Sequence, residues 1–586
     1  MRTIGLLFIV ATSLFACQES VSPAPPNVIF ILSDDQGYGD LRIHGNDSID
    51  TPVLDQLAQD GTRLDQFYVS PVCAPTRASL MTGRYHLRTG TYWVTRGTEN
   101  MREEELTLAE ALQANGYRTG CFGKWHNGAH YPLNPLGQGF ERFVGFTSGH
   151  WSNYFNTTLI ENTASLKTEG YITDVLTDQA INFIEAHQKE PFYCYIPYNV
   201  PHSPFQVPDK YFDKYKARGL TDKNASVYGM VENMDENIGR LLARVEALGL
   251  SENTIIVFIT DNGPNGRRYN GNMRGWKGKV YEGGVRVPCL IKWPGKVKAG
   301  QKLNFLSDHI DILPTLMGLT GQSKPKGLPL DGMDLSPWLL GSDEAFPARA
   351  LYSHQNHGDQ PLTYPGAMRN EQYHFIMRGD DKLELYDMQT DPAETTNIAV
   401  QMADSVEVYK QRYLDWYAEV TAAGPTDPAI PIGYAASPRV ELPAHEARLE
   451  GDIAYMRNPN GWAHDWLVSW EEVASSANWE VVAAEAGTYD FSILYTCPAE
   501  RLGSELQLAV GEQTLTSSIR EAFIPTILPN YDRVAGVRAE ALEQSWAELP
   551  MGSLELAAGK QSVRLQALKI AGDEVGEIKG VIVRKR

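Results

Sequence analysis

A cysteine at the predicted start of a helix stands in a segment whose residue types are suited to nucleophilic chemistry. Cys73 opens the segment 73–77, Cys-Ala-Pro-Thr-Arg, and the segment 78–84 continues as Ala-Ser-Leu-Met-Thr-Gly-Arg. The positive end of a helix and the guanidinium of Arg77 both favour an anionic sulfur, so Cys73 is a candidate low-pKa nucleophile. An ordinary buried cysteine at a capped helix start is the alternative.

The elements that position Cys73 alternate between strands and helices. Three apolar runs, 28–32, 192–196 and 254–260, are typical of strands that are covered on both faces. Helical patterns occupy 106–115, 173–187 and 226–248. This alternation predicts an α/β domain with a mostly parallel sheet and helices on both sides.

Acidic and amide side chains directly follow two of these predicted strands. Asp34 and Asp35 follow the first, and Asp261 and Asn262 follow the third. In parallel sheets, active groups gather at the carboxyl ends of the strands, and oxygen ligands select Ca²⁺ or Mg²⁺ over softer metals. Either pair alone is more often a turn, but together they predict a hard-cation site.

Basic and imidazole side chains follow other predicted strands. Lys124 and His126 come after a strand near 117–122, His202 follows the 192–196 strand, and Lys277 precedes a Gly-Gly turn. A lone lysine or histidine in such a place is usually solvated or structural. Four of them on one rim of a sheet predict a shared cationic cleft.

The charge balance limits the partners of this chain. With 52 basic and 72 acidic residues, the formal net charge is −20, which argues against non-specific nucleic-acid binding. An anionic substrate would therefore need a local site built from a metal and a few fixed cations. The six scattered cysteines do not form a disulfide scaffold.

The first residues predict export. Arg2 precedes an apolar stretch, 4–15, that is too short to span a bilayer and is typical of a signal-peptide core. Residues 14–17, Leu-Phe-Ala-Cys, resemble a lipoprotein signal box, in which Cys17 would be lipidated. Plain cleavage near residue 17 is the alternative. We expect a cell-envelope lipoprotein or a periplasmic or secreted protein.

A chain of 586 residues is too long for one core. We predict a signal peptide at 1–17, the α/β domain at 25–340, a smaller α+β subdomain at 341–420, an Ala/Pro/Gly-rich linker at 421–444 and a β-sandwich domain at 445–586. Alternating patterns such as 488–495 indicate the sandwich strands. The domain contains four tryptophans, Trp462, Trp466, Trp470 and Trp479. We expect them to fill the core of the sandwich, and stacking on sugar rings is the alternative.

Taken together, these motifs resemble the formylglycine-dependent (type I) sulfatases of the alkaline-phosphatase-like superfamily, of the secreted bacterial kind that acts on polysaccharides. The resemblance rests on 73–77 and on the Leu-x-Thr-Gly-Arg element at 80–84. It runs from Asn27 to about Val400 and includes a smaller C-terminal subdomain. The C-terminal sandwich resembles modules appended to carbohydrate-active enzymes.

The resemblance implies that a formylglycine-generating enzyme converts Cys73 to 3-oxoalanine (formylglycine). Ca²⁺, or alternatively Mg²⁺, would be held by five residues: Asp34, Asp35, Cys73, Asp261 and Asn262.

The resemblance also implies roles for the basic residues. Arg77 and Lys124 would steady the formylglycine oxygens, and Lys277 and His202 would grip the sulfate. His202 would protonate the leaving sugar oxygen, and His126 would deprotonate the second hydroxyl of the hydrated aldehyde to release sulfate.

The implied substrate is a sulfated polysaccharide or its oligosaccharides, with marine algal galactans, fucans and ulvan-type rhamnans as candidates and human-type glycosaminoglycans as the alternative. Loop residues that line sugar subsites are His150, Trp151 and Asn153, or His354 and His357. We expect no nucleic-acid partner. We expect contact with a membrane only through a lipid anchor. A phosphate- or phosphonate-ester hydrolase of the same superfamily is the alternative function.

Overall fold

The protein is described from a computed structural model that covers residues 24–323, 327–356, 358, 361–457, 461–462, 464–536 and 538–586. The predicted signal peptide, with Cys17, lies outside these residues, and so does His357. Within the described ranges, no helix is both long enough and apolar enough to cross a membrane.

The N-terminal part of the chain alternates strands and helices. Its strands are β1 (Asn27–Ser33), β2 (Thr62–Leu64), β3 (Phe67–Tyr68), β4 (Arg118–Lys124), β5 (Arg142–Phe146), β6 (Thr158–Glu161), β7 (Ala164–Lys167), β8 (Phe192–Pro197), β9 (Thr254–Thr260), β10 (Arg286–Val287), β11 (Cys289–Lys292), β12 (Gln301–Leu303) and β13 (Ser307–Asp308). Its helices are α1 (Pro52–Asp60), α2 (Cys73–Thr82), α3 (Leu108–Gln113), α4 (Ile172–Ala186), α5 (Asp209–Ala217), α6 (Asp222–Ala247), α7 (Glu282–Val285), α8 (Ile312–Thr320) and α9 (Ser336–Leu339).

Ten of these strands form one sheet in the order β12-β2-β11-β9-β1-β8-β4-β5-β6-β7. The five central strands, from β9 to β5, run parallel to one another. Strands β11 and β6 pair antiparallel beside them. The mostly parallel sheet that the sequence predicts is therefore confirmed.

Strand β1 is buried on both faces because its apolar side chains alternate between two cores. Ile29 and Ile31 pack into a cluster with α4 and α6. Val28 and Phe30 point to the opposite cluster, which includes side chains of α2, α3 and α8. Packing on both faces of the sheet holds the parallel strands in place, and with them the residues that follow their carboxyl ends.

The smaller subdomain follows as a four-stranded sheet with one long helix. Its strands are β14 (Leu351–His354), β15 (Gly366–Arg369), β16 (Tyr373–Met377) and β17 (Leu383–Asp387), and its helix is α10 (Ala403–Val420). The strands pair antiparallel in chain order. Met368, Phe375 and Trp416 belong to the core that joins this sheet to α10.

The C-terminal domain is a sandwich of two sheets. Its strands are β18 (Ile430–Ile432), β19 (Arg439–Pro443), β20 (Arg448–Glu450), β21 (Ala454–Tyr455), β22 (Leu467–Val468), β23 (Ser476–Ala483), β24 (Gly487–Thr496), β25 (Glu505–Val510), β26 (Gln513–Ser518), β27 (Ala547–Leu556), β28 (Gly559–Lys569) and β29 (Glu577–Lys585). One sheet has the order β18-β23-β28-β25-β26 with β20 on β23, and the other β21-β22-β29-β24-β27 with β19 on β29. One apolar core contains side chains of both sheets, so the predicted β-sandwich is confirmed.

The prediction of a linker at 421–444 is wrong from residue 430 onward, because β18 and β19 lie within this part of it. Ile430 and Ile432 are buried, and β18 pairs with β23. Pro431 lies in an edge strand, where proline removes no hydrogen bond that the sheet needs. The proline content of this segment indicated a linker, although the segment contains two strands at the edges of the sandwich.

Three of the four tryptophans are structural. Trp466, Trp470 and Trp479 are 4%, 0% and 1% exposed. Trp470 and Trp479 belong to the sandwich core, which agrees with the interpretation that the sequence favoured. Trp462 differs because it is only partly buried and packs outside that core.

Close approach of β4 and β5 leads to our first prediction. A Cβ added to Gly145 would lie 1.9 Å from the carbonyl oxygen of Gly123. We expect Gly145→Ala to destabilise the protein by about 1–3 kcal/mol, because the two backbones must separate. Thermal unfolding followed by circular dichroism measures the effect.

Gly379→Ala is the matched control. A Cβ there would meet only the flexible side chain of Lys382, at 3.7 Å. Equal thermal midpoints for the two variants would contradict the close approach of β4 and β5.

Candidate active site

Cys73 is the first residue of α2 and is 3% exposed. Val72, Ala74 and Val94 form an apolar cluster around it. Burial raises the pKa of the thiol, and the charges of Lys124 and Lys277 offset this only in part. The low-pKa thiolate that the helix start suggests is therefore not favoured at this position.

The residues predicted to bind a metal converge around Cys73. Ligand atoms of Asp34, Cys73 and Asp261 lie within 4.8 Å of one another. The backbone N–H of Asp35 donates to Asp261 Oδ1 at 3.1 Å, and Asn262 Nδ2 donates to Asp35 Oδ1 at 2.9 Å. The structure thus brings together side chains from the ends of β1 and β9 and from the start of α2.

Two oxygens in this cluster lack a hydrogen-bond donor. Asp34 Oδ1 and Asn262 Oδ1 are buried and have no hydrogen-bond partner among the described residues. Because a buried, unpaired polar atom costs free energy, such atoms call for a partner outside the protein. Carboxylate and amide oxygens are the ligands that Ca²⁺ and Mg²⁺ prefer. The donor set therefore fits a hard divalent cation.

Backbone strain also marks this site. Asp35 has a φ of 65° and His126 a φ of 68°. A residue other than glycine in this left-handed region costs of order 1–3 kcal/mol, and such strain collects at functional sites. The hydrogen bonds of Asp35 to Asp261 and Asn262 hold its backbone in this conformation.

Two lysines neutralise the first carboxylate pair. Lys124 Nζ lies 2.5 Å from Asp34 Oδ2, and Lys277 Nζ lies 2.7 Å from Asp35 Oδ1. Burial alone would raise the pKa of Asp34, but the charges of Lys124, His202 and Arg77 lower it to about 2. The pKa of Asp35 is lowered in the same way, chiefly by Lys277 acting against burial. Both carboxyl groups are therefore ionised at neutral pH.

Arg77 supports the predicted metal ligands by binding the carboxylate of Asp261. Its Nε and Nη2 donate to Asp261 Oδ2 at 3.1 and 2.8 Å, and its Nη1 donates to the carbonyl of Lys124 at 2.7 Å. Burial, followed by the charge of Asp34, raises the pKa of Asp261 to about 7 although Arg77 opposes this. Arg77 thus clamps the carboxylate and the end of β4, whereas the resemblance implied contact with the formylglycine oxygens.

His126 is a buried neutral imidazole with one nitrogen free to accept a proton. Its Nε2 donates to the carbonyl of Val94 at 2.8 Å, and its Nδ1 has no partner among the described residues. Burial lowers the pKa of His126 well below its usual range, and the charge of Lys124 lowers it further. A Cβ on Gly149 would lie 2.1 Å from the ring, so the glycine makes room for it.

His202 lies beside the carboxylate pair. Its Nδ1 donates to the carbonyl of Ser203 at 2.6 Å, and its Nε2 lies 3.7 Å from Asp35 Oδ2. Burial, with the charge of Lys277, lowers the pKa of His202 to about 4. The bond to Ser203 directs Nε2 towards the site.

The C-terminal domain also reaches the site, which the sequence did not indicate. Glu540 Oε1 lies 2.8 Å from Nδ1 of His150, and the ring centroid of His150 lies 5.0 Å from that of His202. Trp462 packs against the apolar cluster around Cys73. Glu540 is 390 residues from its partner and stands in no motif, so only the folded chain shows it.

The other residues predicted to line sugar subsites have structural positions. Trp151 and Asn153 are buried in the loop after β5. His354 is buried in β14, where its Nε2 hydrogen-bonds with the carbonyl of Leu362 at 2.6 Å. Of the described candidates, His150 is the one with a ring contact to a predicted site residue.

Comparisons with known proteins identify the family of this chain. A family model described as Sulfatase matches residues 26–322, and a model described as N-sulphoglucosamine sulphohydrolase, C-terminal, matches residues 274–414. The N-acetylgalactosamine-6-sulfatase of Canis lupus familiaris is 32% identical over 356 residues, which are 55% of this chain and 67% of the relative. Arylsulfatase A of Homo sapiens is 34% identical over 433 residues, which are 64% of this chain and 83% of the relative.

Solved structures that are similar to this chain include a saccharide complex and a sulfatase. The crystal structure of Ps i-CgsB in complex with k-i-k-neocarrahexaose is similar with a TM-score of 0.63 and 29% identity, covering 67% of this chain and 92% of that one. The PsFucS1 sulfatase from Pseudoalteromonas sp. has a TM-score of 0.59 and 25% identity, covering 69% of this chain and 92% of that one. Because a sulfatase model matches half of the chain and arylsulfatase A is matched over most of its length, the chain belongs to the sulfatase family and is a sulfuric ester hydrolase.

Proposed function

We propose that this sulfatase removes sulfate from a sulfated polysaccharide of marine algae, or from its oligosaccharides, with Cys73 as formylglycine and Ca²⁺ as the metal. The observation that carries the proposal is the convergence of Asp34, Asp261 and Cys73 around buried oxygens that have no donor. A saccharide substrate is supported by Ps i-CgsB, a similar protein whose structure contains k-i-k-neocarrahexaose. Galactans, fucans and ulvan-type rhamnans are the candidate substrates.

The charges of the site suit an anionic sulfate ester. Three buried carboxylates face three cations, which are Arg77, Lys124 and Lys277. When bound, a divalent cation would offset charge on the sulfuryl oxygens, and the hydrated aldehyde made from Cys73 would supply the attacking oxygen. A bound cation would also favour the ionised form of Asp261, so that the three carboxylates would balance the three protein cations. The charge of the metal would then remain as a local positive excess for the sulfate.

In this proposal, His202 protonates the leaving oxygen of the sugar. An alkoxide is a poor leaving group without a proton. The bond from Nδ1 to the carbonyl of Ser203 leaves Nε2 as the atom that faces the site. The negative charge of a bound sulfate ester favours protonation of a nearby imidazole, which offsets the effect of burial on the pKa of His202.

In this proposal, His126 is the base that completes the cycle. Its Nε2–H is committed to the carbonyl of Val94, so its lone pair lies on Nδ1. Burial keeps the imidazole neutral, because it lowers the pKa. A neutral, fixed imidazole accepts a proton from a hydroxyl at the Cys73 position when sulfate is released.

The site leads to a prediction about Cys73. We expect the wild-type protein to release sulfate from at least one member of a panel of algal galactans, fucans and rhamnans. Cys73→Ser should fold normally and lose turnover, because an alcohol cannot form an aldehyde hydrate. Sulfate release and the mass of the peptide that contains residue 73 are measured together.

Cys497→Ser is the matched control, since Cys497 is buried in the sandwich core and far along the chain from the site. Near-wild-type turnover of Cys73→Ser would contradict the formylglycine proposal. Faster hydrolysis of phosphate or phosphonate esters than of sulfate esters would favour the alternative function.

Metal removal should abolish hydrolysis. We expect a chelator to inactivate the protein and Ca²⁺ to restore it, because Asp34, Asp261 and Asn262 then regain a shared cation. Asp261→Asn should weaken Ca²⁺ binding in isothermal titration calorimetry. Asp235→Asn should leave it unchanged, because Asp235 is a buried carboxylate whose bonds go to the backbone of α1. Full activity in chelator would show that the site needs no metal.

We further propose export, with lipidation of Cys17 and maturation by a formylglycine-generating enzyme. The motif at 14–17 supports the lipid anchor. Intact-mass measurement of protein from the membrane fraction should show an added acyl mass on a chain that begins at Cys17. A chain without acyl mass would favour plain cleavage near residue 17.

A further inference from the structure

A segment of the C-terminal domain clamps the loop that carries His202. We name residues 531–536 and 538–546, between β26 and β27, the docking segment. The N–H of Arg533 donates to the carbonyl of Phe205 at 3.0 Å, and Gln206 Nε2 donates to Asp532 Oδ1 at 2.8 Å. Both bonds join the sandwich domain to the chain directly after His202.

The docking segment also clamps the loop after β5. Arg538 donates to the carbonyl of Ser152, and its guanidinium is held by Asp532 at 3.0 Å. Glu540 Oε1 accepts from Nδ1 of His150 at 2.8 Å. The same segment therefore fixes both loops that border the site.

Glu540 has the features of a functional carboxylate. Its side chain is 0% exposed, and its Oε2 has no hydrogen-bond partner among the described residues. Burial alone would raise the pKa of Glu540, but the hydrogen bond and charge of His150 lower it to about 2. A buried charge of this kind destabilises a protein unless it is paired, so Glu540 and His150 depend on each other.

His150 stands between the sandwich domain and the site. Its side chain is 13% exposed and is therefore not sealed off from solvent or from a ligand. Its ring centroid lies 5.0 Å from that of His202 and 4.6 Å from that of Trp462. Trp462 in turn contacts the apolar cluster around Cys73. The sandwich domain thus supplies the aromatic face of Trp462 and the carboxylate of Glu540, which fixes the imidazole of His150 beside the site.

We propose that the C-terminal domain forms one wall of the sugar-binding site, with His150 as a binding residue and Glu540 as its positioning residue. This inference rests on the proposed function. By accepting from Nδ1, the carboxylate of Glu540 fixes the ring so that Nε2 faces the cleft and contacts a hydroxyl of the sulfated sugar. Trp462 packs against the apolar face of that sugar.

The geometry favours a saccharide over a small ester as the ligand of this wall. Binding sites combine apolar and aromatic surface with a few fixed polar groups. Trp462 and His150 provide both, beside His202, which is placed to protonate the leaving oxygen. His150 lies within the range that the Sulfatase model matches, 26–322, whereas Trp462 and Glu540 lie beyond residue 414, where the second model ends. The groups that hold and flank His150 are therefore contributed by the C-terminal domain.

The test compares two carboxylates of the docking segment in the full-length protein. Glu540→Gln removes the charge that holds His150. Glu543→Gln is the matched control, because Glu543 contacts Thr157 of the catalytic domain instead. The substrates are 4-nitrophenyl sulfate and, among galactan, fucan and rhamnan oligosaccharides, the one that the wild type hydrolyses fastest.

The measured quantity is kcat/KM for the oligosaccharide divided by kcat/KM for the aryl sulfate. We expect Glu540→Gln to lower this ratio by about 10-fold, because a charge-assisted hydrogen bond is lost. The loss should appear mainly as a higher KM for the oligosaccharide. Glu543→Gln should leave the ratio unchanged. In a His150→Ala background, Glu540→Gln should cause no further fall in the ratio, since it acts through His150.

The outcomes separate this inference from the proposed function. A wild-type protein without sulfatase activity on any of these substrates would contradict the proposed function. Equal losses on both substrates in Glu540→Gln, or additive effects of the two substitutions, would overturn only the inference. Inhibition by added Zn²⁺ that Glu540→Gln relieves, with an unchanged ratio, would assign His150, His202 and Glu540 to a metal and would also overturn it.

Discussion

The site depends on the burial of three carboxylates at one edge of the central sheet. Removing an ion from water costs several kcal/mol, so each buried carboxylate needs a cation at close range. Lys124 and Lys277 meet this need at Asp34 and Asp35, and Arg77 meets it at Asp261. Because Arg77 also donates to the carbonyl of Lys124, its side chain ties α2 to the ends of β4 and β9. The same side chains therefore balance the charge of the site and hold its backbone segments together.

The charged groups at the strand ends and the imidazoles of His150 and His202 are supported differently. The carboxylates and Lys124 stand at strand ends, where the hydrogen bonds of the sheet fix the backbone. His150 and His202 stand on loops outside the sheet, where the hydroxyl of Tyr154 donates to the carbonyls of His202 and Ser203. The docking segment adds further bonds to these loops, at Phe205, Gln206 and Ser152. A domain that lies outside the matched family models thus bears on the geometry of the site.

The sequence predicted the parts of the protein that follow from local rules. Continuous apolar runs located β1, β8 and β9, and the rule for parallel sheets placed the residues after them together. The role of Arg77 was not predictable, because its carboxylate partner is 184 residues away. Glu540 gave no signal for the same reason. The strands within 421–444 were missed because proline is tolerated in edge strands, so composition there indicated a linker.

The acidity of the chain does not oppose an anionic substrate. Charges on the surface are screened within about 8 Å at physiological ionic strength, so most of the net charge of −20 is not felt in a buried cleft. Inside the cleft the local sum decides, and there three carboxylates meet three cations. A divalent cation on the unpaired oxygens of Asp34 and Asn262 would make the sum of these charges positive. Attraction of a sulfate ester would then follow occupancy of the metal site, whatever the charge of the surface.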